Sequence, residues 1–381
     1  MIELKKYMIW PNAGRKMRAD DQEITHFPMT ALTVVSVTAR IFYMTVIDTP
    51  EVENSGWLAA LIGAAFSFPA ILGAYFLMKK HNGTLSESIT QVAGEKVDRV
   101  FCMILSLALM YETSALISIL TSSGAYATLY NMHKLLLLIP TAVAVIFACS
   151  KGGNGLGGSS EVWIRINLLL YAVVLLLEYD TADMSYIFPI FGPGTKVLLN
   201  TGRKIMTYYL LIPVSFMVET GYAVIGRNEH KKAAPESILK VFCLCIGISF
   251  LLLLIHSFMY PSLSPAFKSR SDGMDLMLSN GRSNRTVQLP ILIIWFSSLF
   301  ICASYMLFAS GRLMNRALKE KGRKCQFLLG IISMVIALFR LSDQSRSAAF
   351  SAGFGPLLSF VFLILACVSL FKKKEKAKLK N

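Results

Sequence analysis

Charged side chains are scarce in this chain. Aspartate, glutamate, lysine and arginine make up 16% of its 381 residues, where a soluble domain carries about a quarter. Water-facing surfaces need charge and lipid-facing ones cannot carry it, so the deficit argues against a soluble fold. Acidic residues are the scarcer sign, 23 against 38 lysines and arginines, for a formal net charge of +15. In a soluble protein that excess would point to nucleic acid. Here the cations sit in short segments between apolar runs, which fits membrane topology and anionic lipid headgroups. No nucleic-acid partner is expected.

Clusters that carry chemistry are also lacking. Cys102, Cys149, Cys243, Cys245, Cys302, Cys325 and Cys367 lie inside or at the ends of apolar runs. None forms the paired CxxC spacing of a zinc or redox site, so they read as small packing residues. His26, His81, His133, His230 and His256 are scattered and make no ligand spacing. With no grouped nucleophile and base, the expectation is no metal, no cofactor and no enzymatic activity. The stretch 150–160 (SKGGNGLGGSS) is glycine-rich. A phosphate loop would need Lys-Ser/Thr after the glycines and a strand before them, so it is expected to be a flexible linker. No cleavable signal peptide is visible. The first apolar run starts near Phe27, behind a basic segment, and is long enough to stay in the membrane.

What the chain does have is apolar length, 54% of its residues. A helix needs about 20 apolar residues to cross about 30 Å of hydrocarbon. By that ruler runs fall at about 27–48, 55–78, 99–122, 135–150, 160–179, 204–225, 237–260, 287–310, 326–342 and 352–371. Lysine and arginine supply a separate test, because cytoplasmic segments are enriched in them. With the N-terminus inside, the inner segments hold Lys5, Lys6, Arg15, Lys79, Lys80, Lys96, Arg99, Arg316, Lys319, Arg323 and the lysines of the tail. The outer ones hold far fewer, among them Lys134, Lys196, Lys268 and Arg346. The reading is about ten spans with both termini cytoplasmic. Residues 1–26 form a cytoplasmic N-terminal segment, 27–371 a single transmembrane domain, and 372–381 a basic cytoplasmic tail. The outer connection 261–286 has room for a short amphipathic helix.

Ionisable residues within a span are costly and tend to mark a site. Arg40 lies deep in the first span, Glu112 in the middle of the third and Glu219 in the sixth. Arg40 is expected to pair with Glu112 or Glu219 inside the bundle. Arg165, near the start of the fifth span, is placed to snorkel to the headgroups. Spans 1 and 6 also carry helix-weakening residues near their middles, Ser36 and Thr38 in one, Pro213 and Ser215 in the other. Proline removes a backbone bond and crowds the preceding turn. Interrupted segments at matching positions of two five-span halves, 27–179 and 204–371, suggest an inverted-repeat transporter fold with a small-molecule site at mid-depth. Trp295 and Ser298 of the eighth span are placed to wall it.

The order of segments carries a resemblance. An acidic turn precedes SGWLAALIGAAFSFP at the head of span 2, followed by GTLSESITQVAGEKVDRV and later DMSYIFPIFGPGTK. The most specific pieces are Gly56–Trp57–Leu58 with Gly63, Ile187–Phe188–Pro189 with Gly192, and Ser215–Phe216 through Glu219. From about Ile24 to Leu370 the chain resembles the B subunit of spore germinant receptors. These are endospore-germination permeases of the amino acid–polyamine–organocation superfamily. The resemblance implies an all-α membrane fold, a LeuT-type five-plus-five inverted repeat with helices 1 and 6 interrupted. It implies a small germinant, such as an amino acid, held among spans 1, 3, 6 and 8 by Ser36, Thr38, Arg40, Glu112, Pro213, Ser215, Phe216, Glu219, Trp295 and Ser298. It further implies a partner A subunit and a C-subunit lipoprotein in the inner membrane of the spore. Where the family commonly has a glycine before the span-6 glutamate this chain has Val218, and span 1 has no glycine at all. Both departures would reshape the site. The alternative is a proton-coupled amino-acid transporter of the same superfamily, with Glu112 or Glu219 as the coupling carboxylate.

Overall fold

Each of the ten apolar runs is helical over most of its described residues. The computed structural model describes residues 26–45, 50–81, 83–128, 134–177, 179, 183–188, 190–192, 194–219, 234–259, 285–320, 322–341 and 346–378. Among them are eleven α-helices and no strand. They are α1 (His26–Tyr43), α2 (Gly56–His81), α3 (Leu85–Ala93), α4 (Glu95–Thr128), α5 (Lys134–Ser150) and α6 (Gly152–Leu177). The second half holds α7 (Thr195–Glu219), α8 (Ala234–Met259), α9 (Arg285–Leu318), α10 (Lys324–Arg340) and α11 (Arg346–Lys378). Short 3-10 turns at Pro50–Ser55 and Met184–Ile187 complete the described elements. Six helices are long and apolar enough to cross a membrane on length and composition alone, in α2, α4, α6, α8, α9 and α11. α5 is a shorter apolar helix. The outer connection 261–286 lies almost wholly outside the described residues.

The helix beyond the ten runs is α3. Thr84 caps it, accepting from the Glu87 amide at 3.1 Å, while Glu87 accepts from the Thr84 amide at 3.0 Å. This reciprocal box satisfies two amides that a helix start leaves unpaired. Leu85, Ile89 and Val92 bury one face, and Gly94 ends the helix at φ +94°.

The glycine-rich stretch 150–160 is a correction. It is helical rather than a loose linker: α6 begins at Gly152 and runs straight through it. Only Gly152, at φ +79°, uses the freedom of glycine, and it makes the corner between α5 and α6. Beyond it the small residues bring α6 close to the start of α1, with Ser160 Oγ donating to the carbonyls of Gly157 and Pro28.

Burial divides the helices into two kinds. α1 is buried on every face from Ala31 to Ile41, and α7 from Ile205 to Val218. The middles of α4 and α9 are enclosed as well. The helices around them turn leucine and phenylalanine outward, as at Phe147, Leu168, Leu169, Leu176, Phe339 and Phe360. Water would penalise such a surface and lipid does not. The packing also repeats between halves. α1 lies against α8 as α7 lies against α2, and α4 meets α10 as α9 meets α5.

The two ends of the bundle differ in charge. At one end Lys80 reaches the Ser369 carbonyl, Arg316 lies 3.4 Å from Asp98, Lys319 lies 2.8 Å from Glu95, and Arg323 donates to the Ser150 carbonyl at 2.8 Å. At the other end neutral contacts join the connections: Ser55 donates to Ile190 at 2.9 Å and Ser257 to Asn54 at 2.9 Å.

Candidate functional site

Arg40 of α1 reaches Glu112 of α4 through its side chain. Arg40 Nη2 donates to Glu112 Oε2 at 2.7 Å, and both side chains are completely buried. The same Nη2 donates to the Tyr208 hydroxyl of α7 at 2.8 Å. The guanidinium also lies over the Tyr208 ring at 4.5 Å and faces the Tyr43 ring at 5.6 Å. One cation thus ties three helices together. A buried charge needs such an arrangement, because losing one partner costs about 3–5 kcal/mol. The pair is nevertheless incompletely used. Arg40 Nε and Nη1 and Glu112 Oε1 are sealed from solvent without a hydrogen-bond partner. Orphaned polar atoms of this kind are rare in proteins.

The surroundings come from α1, α7 and α9. Cys302 of α9 lies close to the ion pair and beside the Ser36 hydroxyl. Tyr43 stacks on Trp295 at 5.7 Å, and Phe216 stacks on Tyr305 at 4.2 Å. The Tyr305 and Ser215 hydroxyls are 2.8 Å apart. Further along α9, Ser298 accepts from Asn167 of α6 at 2.9 Å, and Ser297 donates back to Asn167 at 3.2 Å. The Tyr43 and Tyr208 rings therefore flank one neutral pair of opposite charges.

The residues expected at the site are placed on differing terms. Arg40 pairs with Glu112. The side chain of Glu219 lies outside the described residues, although its backbone ends α7. Thr38 satisfies itself by donating to the Val34 carbonyl at 2.6 Å, and Ser215 likewise donates to Ile212 at 2.7 Å. Such back-bonds let hydroxyl residues sit inside a helix, so α1 passes Thr38 without a break, and it is continuous at Ser36 as well. The departure of the first span from α geometry comes later, in a π turn at Met44 and Thr45. Pro213 sits inside α7 and has no N–H for the Tyr209 carbonyl, yet the helix continues to Glu219. Arg165 pairs with Glu161 at 2.6 Å on an exposed face.

Tyr43, Tyr208, Tyr305, Asn167 and Cys302 were not apparent from the sequence. Tyrosines inside apolar spans were the available signal, since a buried phenolic hydroxyl needs a partner.

The model for a family described as spore germination protein matches residues 23–264. The chain belongs to this family. No curated protein sequence matches it. Among solved structures it is similar to MhsT in complex with L-phenylalanine, with a TM-score of 0.65 and 12% identity over 90% of this chain and 89% of that one. A manganese transporter from Eremococcus coleocola gives 0.60 and 12% over 90% and 77%. Mhp1, a nucleobase-cation-symport-1 family transporter in a closed conformation with bromovinylhydantoin bound, gives 0.58 and 8% over 91% and 76%. At such identities the likeness is one of fold. This spore germination family member has the LeuT-type transporter fold, and the mirrored helix packing is its repeat. It is a multi-pass membrane protein of permease type.

Proposed function

We propose that this protein is the germinant-sensing membrane subunit of a spore germination receptor. It binds a small nutrient, an amino acid in the simplest case, at mid-depth among α1, α4, α7 and α9. The observation that carries this reading is the buried Arg40–Glu112 pair with unused atoms on both partners. A zwitterion offers an acceptor for the free guanidinium nitrogens and a donor for the free carboxylate oxygen, and it leaves the site neutral. Ser36, Ser215, Phe216, Trp295 and Ser298 border the ligand, with Thr38 and Pro213 shaping α1 and α7, and Glu219 is a further candidate ligand group. Family membership supports partnership with an A subunit and a C-subunit lipoprotein in the inner spore membrane. The basic end of the bundle supports both termini facing the cytoplasm.

The second reading is a proton-coupled amino-acid transporter. The shared fold with a structure holding L-phenylalanine favours it. One experiment separates the two. Purified protein in proteoliposomes is offered labelled amino acids, with binding and uptake measured together. Saturable binding without accumulation supports sensing. Accumulation driven by a proton gradient and abolished by Glu112→Gln supports transport. Neither binding nor uptake for any amino acid would remove the site from both readings. Spores deleted for this gene are expected to lose the response to at least one germinant.

A further inference from the structure

A second buried arginine lacks what the first one has. Arg340 closes α10 and is 6% exposed. Its guanidinium carbon lies 3.8 Å from the centre of the Tyr111 ring. Nη2 is sealed from solvent with no hydrogen-bond partner. Among the described residues Arg340 takes part in no ion pair. The ring face cannot balance this charge. A desolvated cation–π contact recovers less than burying an ion costs. Arginine also cannot escape by losing its proton. Tyr111 and Glu112 are neighbours on α4, so this stretch lies between two buried arginines and supplies one carboxylate, which Arg40 occupies. Among the described residues one positive charge is left over.

We propose that Arg340 holds a small monovalent anion, chloride in size and charge, on a different face of α4 from the Arg40–Glu112 pair. The stacked guanidinium presents its flat face to Tyr111 and keeps its N–H edge for an in-plane acceptor. Deep burial restricts that acceptor to something small. The proposal stands whether the protein senses or transports.

The test is thermal unfolding of the purified full-length protein in sodium chloride and in sodium gluconate at equal ionic strength, alongside equilibrium binding of radiolabelled chloride. Wild type is expected to show a saturable rise of several degrees in Tm with chloride, because a ligand that binds only the folded state stabilises it. It is also expected to retain one chloride per chain. Arg340→Gln should lose both effects, and Arg165→Gln, at an exposed arginine, should keep the bound chloride. If Arg340→Gln does not fold, Tyr111→Leu provides the second variant and should weaken chloride binding. Equal Tm in the two salts with no retained chloride overturns the proposal, as does undiminished binding in Arg340→Gln. Asp343, three positions along the chain, gives a further arm. A chloride response that appears only in Asp343→Asn would make that carboxylate the counter-ion and end the anion proposal.

Discussion

Arg40 shows how much one side chain can decide. It is among the largest fully buried side chains of the protein, and its partners sit 72 and 168 residues away in sequence. Its charge needs Glu112, and Glu112 in turn needs Arg40. Replacing Arg40 with Met should therefore lower stability by about 3–5 kcal/mol, because it strands the carboxylate. Adding Glu112→Gln should recover a large part of that loss, since a neutral amide is far cheaper to bury than a lone anion. Thermal unfolding of the three proteins in detergent checks this. A single variant as stable as wild type would refute the coupling. That Arg40 needed a carboxylate was legible from its place in an apolar run. Which carboxylate answered it was not, because helix rotation and depth decide that choice. Tyr208 was missed for the same reason: nothing local distinguishes it from Tyr209 beside it.

At the scale of elements, helix contacts rest on small residues. Gly63 of α2 faces Ile205 and Gly202 of α7 so closely that a Cβ would come within 2.8 Å of Ile205 Cγ2 and 3.0 Å of the Gly202 carbonyl. Backbone on the far side cannot move aside as a flexible side chain would. Gly63→Ala should separate α2 from α7 and lower stability by about 1–3 kcal/mol, read as a fall in Tm. Gly247→Ala, with nothing within 4 Å of the added carbon, is the matched control and should hold Tm or raise it slightly, since alanine favours the helix. The α3 helix was signalled in sequence by Thr84 with Glu87 three positions on, followed by apolar Leu85, Ile89 and Val92. That pattern is an amphipathic helix with a capping box, too short to register with a ruler made for spans. The stretch 150–160 misled in the opposite direction. Glycine is costly in an isolated helix, but close packing against α1 outweighs the propensity.

For the molecule as a whole, the basic residues gather at one end of the bundle, around Lys80, Arg316, Lys319 and Arg323. This gathering is a physical outcome of the alternating charge pattern along the chain. It predicts that a cysteine placed at Asp183 is labelled by an impermeant thiol reagent from outside intact cells expressing the protein, against a background lacking the exposed native cysteines. A cysteine at Lys319 should be labelled only after permeabilisation. The reverse pattern would invert the topology.

The apolar runs and the alternation of basic segments between them were set by the sequence alone, because lipid selects for local composition and length. The same local logic marked Arg40 and Glu112 as residues that could not remain alone. Only tertiary structure settled that these two pair and that Tyr208 joins them. It alone showed Arg340 resting on a ring with no carboxylate beside it among the described residues. Contacts between distant helices depend on which faces meet and at what depth, and no window of sequence holds that information.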